Sequence, residues 1–146
     1  MKTLLRLAFI FVVLAVPLSS LRAAQASIQG ILITASSQPG ETDRRLAEYE
    51  PTLRRILRFE SFHYVGGDTG RLEVPASGTL SLGDGHELEI TTEKADGKSV
   101  HVKVRWTAGG RSLMNTGLVL RAGVPAVLGG PAKGNGEVYA VILIGR

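Results

Sequence analysis

Two hydrophobic periods divide the chain. Between Thr42 and Arg58 the apolar positions Leu46, Tyr49, Leu53, Ile56 and Leu57 recur every three or four residues, one stripe on a helical period. From Phe59 onward the period is two. Ser99 to Thr107 shows it most clearly, with Val100, Val102, Val104 and Trp106 on one side and His101, Lys103 and Arg105 on the other. That pattern predicts a half-buried antiparallel strand with one wet face and Trp106 in the core. Before the helix, Ile28 to Thr34 reads as a buried strand closed by Ser36-Ser37-Gln38-Pro39-Gly40.

Turn residues punctuate the rest. Phe59 to Val65 is expected to end at Gly66-Gly67-Asp68, and Arg71 to Val74 at Pro75. Thr79 to Leu82 and Glu87 to Thr92 flank Gly83-Asp84-Gly85. Asp96-Gly97 and Gly109-Gly110 fit tight hairpins, because Asp and Gly tolerate positive φ. Leu113 to Leu120, Val124 to Leu128 and Val138 to Ile144 follow, and the last, apolar on both faces, predicts a covered central strand. Gly129 to Gly136 reads as a flexible hairpin loop. In the helix, Thr42 or Asp43 supplies a cap and Pro51 implies a kink or two short pieces. Phe59 and Phe62 fall on opposite strand faces, which places their strand between sheet core and helix. The expected fold is mostly β (α+β): an antiparallel sandwich or curled sheet of about eight short strands, with one helix near the mature N-terminus.

The first residues change the picture of charge. Lys2 and Arg6, the apolar run Leu7 to Leu18, and Ala24-Gln25-Ala26 follow the n-, h- and c-region order of a secretory signal. The run is shorter than the ~20 apolar residues that span a bilayer. Residues 1–26 are therefore expected to be a signal peptide, with a mature β-rich domain over 27–146, exported to the periplasm or outside. No stable membrane anchor is expected after cleavage. The whole chain carries seventeen Lys+Arg against thirteen Asp+Glu. Lys2, Arg6 and Arg22 leave with the signal, so fourteen bases face thirteen acids, and nucleic acid is not an expected partner. There is no cysteine, hence no disulfide, thiol nucleophile or lipidated N-terminal cysteine.

Candidate chemistry is sparse. His63, His86 and His101 lack the spacing of a metal pair and read as surface or half-buried histidines. Ser61 and His63 share a strand face without a nucleophile elbow or oxyanion signature. Gly129 to Gly136 lacks the Gly-Lys-Ser/Thr and following helix of a phosphate loop. Asp68, Asp84 and Asp96 each bring one carboxylate to a turn, too few for calcium. No metal or cofactor is expected. The one local charge excess is Arg44, Arg45, Arg54, Arg55 and Arg58 on the helix, against Glu48 and Glu50, a face that could meet an acidic partner.

Leu118-Val119-Leu120-Arg121-Ala122-Gly123-Val124-Pro125-Ala126-Val127-Leu128-Gly129-Gly130, followed by Val138 to Ile144, resembles the C-terminal strands of a bacterial secretin core domain; the likeness spans residues 116–144. Ala122 stands where that family's turn carries Asp or another polar residue. The resemblance implies a similar strand arrangement in the cell envelope and contact with secretion or pilus machinery. It implies no pore and carries over no functional residue. The expected function is a non-enzymatic periplasmic or secreted domain that binds an envelope protein through a sheet edge, a loop or the Arg-bearing helix. The alternatives are a small hydrolase built on Ser61, His63 and a distant carboxylate, and a carrier of a small apolar ligand.

Overall fold

The structure, a computed structural model, describes residues 24–146. Lys2, Arg6 and the apolar run of the expected signal lie outside the described residues. Eight strands form two four-stranded antiparallel sheets. The strands are β1 (Ala24–Ser36), β2 (Ser61–Val74), β3 (Ala76–Gly83), β4 (His86–Asp96), β5 (Ser99–Ala108), β6 (Arg111–Arg121), β7 (Ala126–Gly134) and β8 (Glu137–Gly145). The first sheet runs β2-β1-β8-β7 and the second β3-β4-β5-β6. The fold is thus an α+β sandwich, as the turn spacing predicts.

Alternation along β1 and β8 sorts side chains between two cores. Ile28 and Leu32 of β1 and Val141 and Leu143 of β8 face the second sheet, where they meet Leu82, Leu88, Ile90, Val102, Val104 and Trp106. Ile31 and Ile33, with Ala140, Ile142 and Ile144, face the other way, against Leu46, Tyr49, Leu53 and Phe62. The first sheet is therefore covered on both faces, which is why β8 is an uninterrupted apolar run.

The helical segment is two pieces. A single 3-10 turn, Arg44–Leu46, is capped by Asp43, whose carboxylate accepts from the Arg45 N–H at 3.0 Å. The helix α1 (Glu50–Leu57) follows, with Pro51 in its first turn, where no N–H is needed. Leu53 is buried and Leu57 half-buried, but Ile56 is 48% exposed. At 100° per residue Ile56 projects well off the line through Leu53 and Leu57, so in an eight-residue helix it misses the sheet.

Three further expectations give way. Gly66-Gly67-Asp68 does not end a strand: β2 runs through it, with a register shift opposite Leu32/Ile33. Gly66 is there for close approach, since a Cβ would overlap the Leu82 carbonyl oxygen of β3. Phe59 precedes β2 and packs with Phe62 on the helix side rather than opposite it. The glycine-rich loop is mostly strand: β7 continues to Gly134, with two register shifts. A Cβ on Gly130 would enter the indole of Trp106, so that glycine makes room for the ring.

The two sides of the sandwich differ. On one, β2 turns into β3 at Val74-Pro75. Thr92 Oγ1 donates to the Glu73 carbonyl at 2.6 Å and accepts from the Ala76 N–H at 2.9 Å, fastening the corner. On the other, β6 and β7 belong to different sheets. The crossover at Ala122–Pro125 joins them, and its Gly123 N–H donates to the Gly145 carbonyl of β8 at 2.8 Å.

Candidate functional site

β6 is the outer strand of the second sheet. The Ala122 N–H donates to the Lys98 carbonyl at 2.8 Å, next in the register that pairs Arg121 with Ser99 and Leu120 with Val100. Backbone groups alternate along a strand, so Leu120, Leu118, Thr116 and Met114 also address β5. Arg121, Val119, Gly117 and Asn115 then direct their N–H and C=O groups away from the sheet. Among the described residues, the only backbone bond recorded there is the turn from the Val124 N–H to the Arg121 carbonyl, 3.0 Å. The side chains of Arg121, Val119 and Asn115 lie on the outer face, beside His101, Lys103 and Arg105 of β5.

Gly117 leaves a hole in that face. A depression of about 220 Å³ sits over it, walled by His101, Lys103, Leu118 and Val119. Val119 is 45% exposed. Lys103 opposes Gly117 and holds Glu93 at 3.3 Å. Along this face β4 carries Glu87, Glu89 and Glu93, with Lys94 beside His101; β5 carries His101, Lys103 and Arg105, and Arg121 ends β6. The charge nearest the open edge is positive.

The other outer strands are guarded. β7 carries Pro131 and two register shifts, devices that spoil pairing with another chain. β2 and β3 pack on each other. β6 has its single irregularity near Trp106/Thr107 and neither a proline nor a charge between Arg111 and Arg121.

The five arginines of the helical segment are all exposed. Arg45 is bound to Asp43 at 2.7 Å and lies over the Tyr64 ring, 4.2 Å from its centroid. The Arg45 side-chain and backbone hydrogen bonds hold the Asp43 carboxyl well below the usual carboxylate range. Arg54 meets Glu50 at 2.9 Å and Glu60 at 4.0 Å. Arg44, Arg55 and Arg58 make no ion pair among the described residues. The charge excess is thus partly met within the chain.

Ser61 and His63 are not brought together. Ser61 is buried and its hydroxyl donates to the Gln38 carbonyl at 3.1 Å, whereas His63 is exposed. Among the described residues none of the three imidazoles is hydrogen-bonded to a carboxylate, and no group of three or more His, Asp or Glu residues could hold a metal ion.

His86 is buried, not at the surface. Its Nδ1 accepts from Trp106 Nε1 at 3.0 Å, which leaves its proton on Nε2. The Tyr139 ring packs on it at 4.4 Å between centroids, and the Tyr139 hydroxyl donates to Asp84 at 3.0 Å. Burial pushes the His86 pKa down, with Asp84 opposing, and pushes the Tyr139 hydroxyl up, reinforced by its bond to Asp84. These links join β4, β5 and β8 with the Gly83–Gly85 turn. The remaining turn carboxylates hold backbone: Asp68 accepts from the Thr69 and Ser81 N–H groups, Asp96 from those of Lys98 and Ser99.

At the opposite end of the sandwich an open cleft of about 330 Å³ has an apolar floor of Ala26, Val100 and Leu120 and a rim including Asp96, Lys98 and Arg146. Gln25 and Ala26 form part of its wall and lie ahead of the expected cleavage point. Among the described residues, no helix is long and apolar enough to cross a membrane. Comparison with protein-family models, curated proteins and solved structures finds no match.

The sequence shows β6 as a strand but not as an edge, because sheet order depends on contacts between distant segments. Its one local signal is the uncharged, proline-free interior between Arg111 and Arg121.

Proposed function

We propose that the chain is a non-enzymatic exported domain, periplasmic or extracellular, that binds another protein of the cell envelope by strand addition. The observation that carries this reading is the open β6 edge: eleven residues without the protection given to β7, β2 and β3. Main-chain groups supply affinity in such complexes, and alternate side chains supply specificity. The secretin-like segment 116–144 runs from the end of β6 through β8, and its likeness favours a partner in the secretion or pilus machinery.

The test is affinity capture of the tagged mature protein from an envelope extract. A saturable protein partner is expected, retained by Arg54→Glu with Arg55→Glu. Absence of any saturable partner would overturn the reading. Capture lost in that charge-reversed variant would move the interface to the helix face.

The 330 Å³ cleft supports a second reading, carriage of a small apolar ligand. Uptake of a fluorescent apolar probe, abolished by Leu120→Glu in a chain that stays folded, would favour it. The loss of Gln25 and Ala26 on processing weighs against it, because the cleft would then have one wall fewer.

A further inference from the structure

We infer the chemistry of the partner segment, resting on the reading of the chain as a protein-binding domain: an extended strand with one aromatic or large aliphatic residue opposite Gly117 and acidic residues near its ends. Three observations fix these features.

The first is the hole. A strand hydrogen-bonded to the Asn115, Gly117 and Val119 backbones places the residue opposite Gly117 on the outer face of the sheet. There is no Gly117 side chain to meet it, and the depression of about 220 Å³ lies beside it. An aromatic or leucine-like side chain leaning across would cover the Leu118 backbone, the Val119 side chain and the Lys103 stem. The partly exposed Val119 would gain an apolar neighbour.

The second is charge. Moving outward from β4, where Glu87, Glu89 and Glu93 outnumber Lys94, the outer face becomes basic at His101, Lys103 and Arg105 of β5, and β6 is then uncharged up to Arg121. A strand laid beside β6 meets the basic side of this gradient. Arg121 is four residues from Gly117, so an acid four positions from the aromatic residue stands opposite it.

The third excludes a second copy as the favoured occupant. Antiparallel pairing of β6 with itself over its full length centres on Thr116 and sets Asn115 of each copy opposite Gly117 of the other, so a polar amide rather than an apolar side chain faces each depression. Sliding the register to match Gly117 with Gly117 leaves both depressions empty.

The experiment uses the mature chain, ¹⁵N-labelled, and the blocked peptide Asp-Thr-Val-Thr-Phe-Thr-Val-Thr-Asp. The peptide should slow amide exchange at Asn115, Gly117 and Val119 and not at Leu118 or Leu120, which are already paired with β5. Replacing Phe by Gly, or both Asp by Lys, should each weaken binding about tenfold, the size expected for one lost contact of this kind. Gly117→Val should reduce the Phe peptide to the affinity of the Gly peptide. Val119→Pro removes an outward N–H without touching a β5 bond, so it should abolish binding while the melting temperature holds.

Unchanged exchange at the three amides under saturating peptide, or equal binding by Val119→Pro, would overturn the inference. Self-association in sedimentation that Val119→Pro abolishes would assign the edge to a second copy and overturn it equally. If the tagged chain still captures an envelope protein through Val119→Pro, the binding function stands and only the β6 assignment falls.

Discussion

Trp106 donates its one side-chain N–H to a histidine that must stay neutral to accept it. His86 is buried and its pKa is lowered from the usual 6.5. The unfolded chain therefore takes up the proton first as pH falls. The His86 contribution to stability is complete above about pH 6.5 and declines as pH drops through 6.5 toward the lower folded pKa. Trp106 is the chain's one tryptophan, so its fluorescence follows denaturant unfolding at each pH. His86→Gln, whose amide oxygen can still accept from the indole, should remove that part of the slope; an unaltered slope would show that His86 does not carry it. Gly130 faces the same indole. Gly130→Ala should cost about 1–3 kcal/mol by overpacking, and less once Trp106→Ala, itself costing about 3–5 kcal/mol, has emptied the site and left only the Tyr139 carbonyl oxygen, 2.9 Å from the added Cβ. Equal costs in both backgrounds would show that Gly130 is needed for its backbone instead. The alternation of β5 makes Trp106 readable as core from sequence. It says nothing of His86 or Gly130, because their roles come from a ring that reaches them from another strand.

At the scale of elements, α1 tests which face of the helix matters to folding. Leu53 is fully buried against the first sheet, so Leu53→Ala should lower stability by about 2–5 kcal/mol. Arg55→Glu, an exposed change without an ion pair to lose, should stay within about 0.5 kcal/mol. Thermal melts of the two variants check this ranking. The same helix ends on Arg58 in the left-handed region, φ 54°, where glycine is the common residue. Arg58→Gly should add about 1 kcal/mol by removing the Cβ crowding; a loss would mean that the Arg58 side chain holds the helix end by packing. The three- and four-residue stripe and Pro51 predict the two pieces and the buried Leu53. They overextend to Ile56, which stands off the line through Leu53 and Leu57 in a helix too short to bury a wider stripe. β2 was obscured for another reason. Paired glycines resemble a turn in sequence, yet at Gly66 the absent side chain serves contact with β3.

For the whole molecule, the alternating segments specify which strand faces are apolar but not the order of strands within the two layers. Which strand is left at an edge is decided by pairings such as β1 with β8, more than a hundred residues apart. That is why β6 is legible in the sequence as a strand but not as an edge. The same pairings bear on the expected processing. Ala24, Gln25 and Ala26 extend β1 along Val74, Glu73 and Leu72, so removal of residues 1–26 strips three residues from the ladder. What remains is anchored at its new start: the Ser27 N–H donates to the Arg146 carbonyl at 3.2 Å, and the Arg146 N–H returns to the Ser27 carbonyl at 2.8 Å. Ile28, Ile31, Leu32 and Ile33, the side chains that β1 gives to both cores, all lie beyond the cut. Of the two side chains described ahead of the cut, Gln25 is exposed and Ala26 is buried, a methyl group worth about 1 kcal/mol. A chain beginning at Ser27 should therefore unfold in one cooperative transition, within about 2 kcal/mol of a chain beginning at Ala24, allowing for that methyl and about one net hydrogen bond. Denaturant titrations of the two chains make the comparison, and mass spectrometry of the exported protein should find Ser27 as its first residue. A Ser27 chain that fails to fold, beside a stable Ala24 chain, would show that the ladder from Ala24 to Ala26 is part of the mature domain and that cleavage must lie earlier.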